Sequence, residues 1–84
     1  MKIKRNIAVS DSGFVFNPLT GDSFSTNPVG AEIIRMMKEY KSDFEIKNYV
    51  LENYQTDNVT FEKDYYDFVN MLVNYKLTEL DEKI

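Results

Sequence analysis

The sequence predicts an α+β domain in which three short antiparallel strands precede a bundle of three helices. Two observations carry this. Before Asn27-Pro28, short apolar runs alternate with turn-forming residues; after it, apolar residues recur every three or four positions. With 84 residues the chain is the length of one domain, and the expectation is a single unit over residues 1–84 with its core at about 6–80.

The elements follow in order. In the first strand, over residues 3–10, Ile3, Ile7 and Val9 are the apolar positions. The basic arm over residues 1–6, with Lys2, Lys4 and Arg5, overlaps the start of that strand and reads as a frayed, solvated terminus. Asp11-Ser12-Gly13 is a turn signal, since glycine supplies positive φ and aspartate can bond its own following backbone. Phe14-Val15-Phe16 is the second strand, with both phenylalanines on one face and Val15 on the other. Pro18 ends or edges that strand, and Leu19-Thr20-Gly21-Asp22 makes the reversal. The third strand, over residues 23–26, has Phe24 as its anchor and Ser23 and Ser25 on the opposite face.

Asn27-Pro28 is the sharpest boundary. Asparagine suits the N-cap, where its side chain accepts a free helix N–H, and proline suits the first helical position. The first helix is expected over residues 28–41, with Val29, Ile33, Met36, Met37 and Tyr40 on one stripe. Gly30 reads either as a tolerated residue or as a place of close backbone approach. Ser42 or Asp43 caps a second helix over 44–54, with Ile46, Tyr49, Val50 and Tyr54 inward. A polar loop over 55–58 leads to Thr60 as the next cap candidate. The third helix, over 61–75, carries Phe61, Tyr65, Phe68, Leu72 and Tyr75 as its main stripe and Tyr66, Val69 and Val73 as a second. The tail over residues 77–84 is expected to add a short extended piece at Leu77 and then fray.

Composition excludes several functions. The chain has neither cysteine nor histidine, so disulfides, thiolate metal sites, thiol nucleophiles and imidazole bases are absent. No catalytic residue, metal ligand or cofactor site is expected, and the chain is not expected to be an enzyme. Glu62, Asp64 and Asp67 read as a solvated face that suits the helix dipole. A net charge of −4 argues against nucleic acid and anionic membranes as partners. No apolar run is long enough for a membrane span or signal peptide, so a cytoplasmic location is expected. The six tyrosines cannot all be buried without partners for their hydroxyls, so some belong to a surface.

A strand edge beside a helix with spare apolar surface can accept an extended peptide as an added strand. A homodimer surface, or simply a wide core face, explains the same residues.

Three strands followed by three helices is the winged-helix order. The stretch FVFNPLTGDSFSTNPVGAEIIRMM resembles the PqqD-like family in its strand, its P-x-x-G turn, the placement of Asn27, and Gly30-Ala31 with Ile33 and Ile34. Further on, EKDYYDFVNMLVNYKL resembles that family's closing helix through Asp64, Phe68, Val69, Leu72 and Leu77, with Lys76 where a glycine is usual. The resemblance implies a non-catalytic chaperone, the stand-alone recognition element of ribosomally made peptide natural products. Such a protein binds the leader segment of a precursor peptide and presents it to a modifying enzyme, often of the radical S-adenosylmethionine (SAM) type. It implies contacts from Asp22, Ser23, Phe24, Ser25 and Thr26 on the strand, and from Tyr66, Asp67, Val69, Met71, Val73 and Asn74 on the helix. A winged-helix DNA binder is the weaker alternative, because helix three is acidic where a reading helix is basic.

Overall fold

The structure, a computed structural model, describes residues 2–79. The element order is β1 (Ala8–Val9), β2 (Phe14–Phe16), β3 (Ser23–Ser25), α1 (Pro28–Lys38), α2 (Asp43–Asn53) and α3 (Asn58–Asn74). This is the expected α+β class.

The strands form one antiparallel sheet in the order β1-β2-β3. Val15 pairs with Phe24, and Phe14 and Phe16 pair with Ser25 and Ser23. Paired residues share a face, so Val15 and Phe24 point to the helices while Phe14 and Phe16 point outward. Val15 is fully buried, whereas Phe14 is 48% and Phe16 37% exposed. Gly13 and Gly21 adopt φ of 96° and 81° at the two turns, where a side chain would be strained. Gly13 has a second reason to be glycine: a Cβ there would collide with the Thr26 carbonyl, whose own N–H donates to the Gly13 oxygen.

The first strand is much shorter than expected, and the arm before it is not frayed. Ile3 bridges Thr78, the Lys4 N–H donates to the Leu77 carbonyl, and the Glu79 N–H donates to that of Lys2. Ile3 and Ile7 thereby enter the core at 2% and 1% exposure. The chain turns between them, with the Ile7 N–H bonded to the Lys4 carbonyl. The arm is held by pairing with the segment after α3, a partner more than seventy residues away that local pattern cannot reveal. Residues 80–84, where fraying is expected, lie outside the described residues.

Each helix has a side-chain N-cap. Asn27 Oδ1 accepts the Gly30 N–H at 2.8 Å, with Pro28 in the first turn. Ser42 and Glu45 form a reciprocal capping box. Helix α3 is capped by Asp57, which accepts the Thr60 N–H at 2.8 Å, so it starts three residues before the expected position. Asp57 outcompetes Thr60 because its charge also favours the positive helix end.

Helices α1 and α3 both end in Schellman motifs. Lys41 N–H reaches the Met36 carbonyl and Tyr40 N–H that of Met37; Leu77 N–H reaches Leu72 and Lys76 N–H reaches Val73. The left-handed positions are Tyr40 (φ 63°) and Lys76 (φ 61°), neither of them glycine. At α3 the buried pair Leu72 and Leu77 makes the apolar contact that accompanies this motif. Helix α1 therefore stops at Lys38, and Tyr40, expected on its inner stripe, is 57% exposed. The core joins Ile3, Ile7 and Val15 to Ile33, Ile34 and Met37 of α1, Ile46 and Val50 of α2, and Phe61 and Leu72 of α3.

Candidate functional site

Strand β3 is an edge strand, since among the described residues its one neighbour in the sheet is β2. Its backbone directions follow from the ladder. The Asp22 carbonyl accepts the Asn17 N–H, and the Thr26 N–H donates to the Gly13 carbonyl. In an antiparallel pair such bonds recur at every second residue. Asp22, Phe24 and Thr26 thus aim their main-chain groups at β2, while Ser23 and Ser25 aim theirs out of the sheet. The usable edge is short, with Gly21 turning the chain before it and Asn27-Pro28 ending it.

The wall beside this edge is one flank of α3. The Phe24 ring stacks on Tyr75 with centroids 5.0 Å apart and planes 17° from parallel. Phe68 approaches Gly30 closely enough that a Cβ would lie 3.2 Å from its ring, and the same Cβ would collide with the Thr26 hydroxyl. Gly30 is thus a site of close approach. These contacts fix the rotation of α3: Asp64, Phe68, Met71 and Tyr75, spaced by four, three and four, form the flank toward β3 and α1. Asp67 and Asn74 lie beside Met71 at the same spacings, further out.

The opposite flank carries Glu62, Tyr66, Val69 and Val73, spaced by four, three and four. It leans toward α2: Lys47 pairs with Glu62 at 3.1 Å, and the Tyr65 hydroxyl donates to Asp43 at 2.6 Å. Tyr66 and Val69 line a shallow depression of about 290 Å³ with Asp43, Glu62 and Tyr65. The structure therefore brings Asp22, Ser23, Phe24, Ser25, Thr26, Asp67, Met71 and Asn74 to one side of the molecule. Tyr66, Val69 and Val73 are not brought there, and the second apolar strip of α3 does not form a groove with the strand edge. Tyr66 and Val73 are exposed instead.

Sequence reasoning missed a cleft of about 510 Å³ at the end of the edge. Val29, Gly30 and Ile33 of α1, Val50 of α2, Tyr54 and Phe61, Asp64 and Phe68 of α3 line it, and Asn27 ties it to the end of β3. Its lining is largely apolar, with Asp64 as its charged residue. The available signal was Gly30, a helical glycine next to a cap. The rest depends on how three helices cross.

Ionisation supports the frame rather than any reaction. The Thr60 N–H holds the Asp57 carboxyl below the usual range, and the Ser42 N–H does the same for Glu45. Burial, then the Asp43 carboxylate, pushes the Tyr65 hydroxyl well above its ordinary value. Among the described residues no cluster of acidic side chains has the arrangement to hold a metal ion, and no helix is long and apolar enough to cross a membrane.

A three-stranded sheet whose edge strand β3 is flanked by a helix and ends at an apolar cleft defines the class: a small α+β domain with a strand edge beside a helix wall. The family described as coenzyme PQQ synthesis protein D (PqqD) matches residues 13–77, and the chain belongs to it. Among solved structures, it is similar to TbiB1, in a complex described as "TbiB1 in Complex with the TbiA(beta) Leader Peptide". The identity is 30%, the TM-score 0.82, and the match covers 99% of this chain and 100% of that one. No protein in the curated set matches it.

Proposed function

We propose that this protein is a peptide-binding recognition element, without catalytic activity of its own. In this reading it takes the leader segment of a ribosomally made precursor as a fourth strand on β3 and presents it to a modifying enzyme. The observation that carries the reading is the outward set of main-chain groups at Ser23 and Ser25, alongside the Asp64–Phe68–Met71–Tyr75 flank of α3. Main-chain bonds at those two serines supply affinity without regard to sequence; the flank and the cleft at Phe68 select side chains. Family membership and the likeness to a leader-bound relative support the same reading.

On this account Ser23, Phe24, Ser25, Met71 and Tyr75 make the central contacts, with Asp22, Thr26, Asp67 and Asn74 at the ends and rim. A large apolar leader side chain enters the cleft between α1 and α3, and its neighbour meets Asp64. Tyr66, Val69 and Val73 take no part in peptide binding. The receiving enzyme is of the radical SAM type or another peptide-modifying class. The test is titration of the ¹⁵N-labelled protein with leader peptides encoded beside its gene. Amide shifts concentrated at residues 23–26 and along 64–75 are expected; absence of binding by every such leader overturns the reading.

The same open edge suits pairing of two copies through β3. Sedimentation separates the two outcomes, because a dimer formed this way dissociates as leader is added. Duplex DNA is disfavoured by the acidic residues of α3, Glu62, Asp64 and Asp67.

A further inference from the structure

The positive charges of this acidic protein are gathered at one end. Lys2, Lys4 and Arg5 come from the arm, Lys38 and Lys41 flank the end of α1, and Lys76 closes α3. These are six of the ten lysines and arginines in a chain of net charge −4. The structure brings them together through three contacts. Lys2 Nζ sits 5.3 Å from the centroid of the Tyr40 ring, which places the arm on the turn after α1. Lys38 Nζ donates to the Ile7 carbonyl. The Lys4 N–H bonds to the Leu77 carbonyl, next to Lys76. Among the described residues the carboxylates of these segments are Glu39 and Glu79, and the ion pairs are made by Arg35, Lys47 and Lys63 instead.

Helix ends account for part of this pattern, since cations near a C-terminus are favourable. They do not account for Lys2, Lys4 and Arg5, which lie before the first strand. All six cations lie outside β3 and outside the groove-side flank of α3. Lys2, Lys4, Arg5, Lys38 and Lys41 belong to segments other than β3 and α3, while Lys76 directly follows Tyr75 of the flank.

We infer that this basic end is a second interaction surface, and that it docks on a bounded acidic patch of the enzyme that receives the leader. The identity of the partner rests on the function proposed above; the charge surface does not. A compact acidic protein patch fits better than a polyanion such as duplex DNA or an anionic membrane. An extended negative partner would also meet the surrounding acidic surface of this molecule, whereas a patch the size of one interface meets only the cations. The exposed Tyr40 ring under Lys2 adds the aromatic character common in protein interfaces. Groove and basic end together hold precursor and enzyme on one small scaffold.

The test uses the intact protein with three probes: a decaglutamate peptide, a 12-base-pair DNA duplex, and the modifying enzyme encoded beside the gene. At low salt, decaglutamate should shift amides at residues 2–5, 38–41 and 76 and leave Ser23 and Ser25 unmoved. The variant Lys2→Gln/Lys4→Gln/Lys76→Gln should bind the enzyme about tenfold more weakly, with leader affinity unchanged. A second variant, Arg5→Gln/Lys41→Gln, changes only exposed side chains and should weaken the enzyme in the same direction even if the first variant folds poorly. Enzyme affinity unchanged in both variants overturns the inference, as does duplex binding tighter than decaglutamate binding. Failure of the wild type to bind any leader removes the proposed peptide function; the decaglutamate arm then decides the basic surface by itself.

Discussion

At Lys76 and Tyr40 the backbone takes a left-handed turn that favours glycine, and each position carries a large side chain instead. A non-glycine residue there costs about 1–2 kcal/mol. Lys76→Gly is therefore expected to raise stability by about 1 kcal/mol, read as a higher midpoint in urea at unchanged slope. Gly13→Ala has the opposite sign, because φ is 96° and the new Cβ would meet the Thr26 carbonyl, which is main chain and cannot rotate away. A loss of about 2–3 kcal/mol is expected from the same measurement. The caps give a pH signature. Asp57 and Glu45 have folded-state pKa values below their unfolded ones, so their contribution is present above the unfolded values and is lost as pH falls through the folded ones. Asp57→Ala should lower Tm at neutral pH, and the difference from wild type should shrink as pH drops below about 4. Tyr65 has the reverse sign: its raised pKa makes its contribution complete below about pH 10 and progressively lost as pH rises from there through the higher folded-state value.

Among the elements, α3 decides the site, and its rotation is where sequence and structure part. Phe61, Tyr65, Phe68 and Leu72 identify an amphipathic helix and its inner stripe from spacing alone. Which flank faces β3 depends on the Phe24–Tyr75 stack and on Phe68 over Gly30, contacts between residues far apart in sequence. Apolar character pointed instead to Tyr66, Val69 and Val73, the flank that leans toward α2. The strand side was more legible. Asn27-Pro28 and Gly21 mark both ends of the edge, because caps and turns are local chemistry. Two substitutions separate the flanks: Met71→Glu is expected to weaken leader binding more than tenfold by placing a charge against the peptide, whereas Tyr66→Ser leaves it within about twofold because exposed sites off an interface contribute little. Calorimetric titration of both variants with one leader checks the assignment.

For the whole molecule, the sheet, the helices and the arm make one unit closed by pairing of residues 2–4 with 77–79. Hydrogen exchange should accordingly find the Lys4 amide protected, as a frayed terminus would not be. That closure also gathers the cations at one end, leaving β3 free at another part of the surface. The α+β class was legible because alternation and helical spacing are local. The closure was not, because Ile3 and Thr78 are paired across nearly the whole length of the chain and no local pattern links them. The central claim is that the outward main-chain groups of Ser23 and Ser25 receive the peptide. Ser25→Pro tests it most directly: it removes one outward N–H, leaves the ladder to β2 intact, and puts proline where an edge strand tolerates it. The account predicts a folded protein with unchanged amide dispersion whose leader affinity falls at least tenfold, about 1.4 kcal/mol. A folded Ser25→Pro variant that binds leader as tightly as wild type would contradict it.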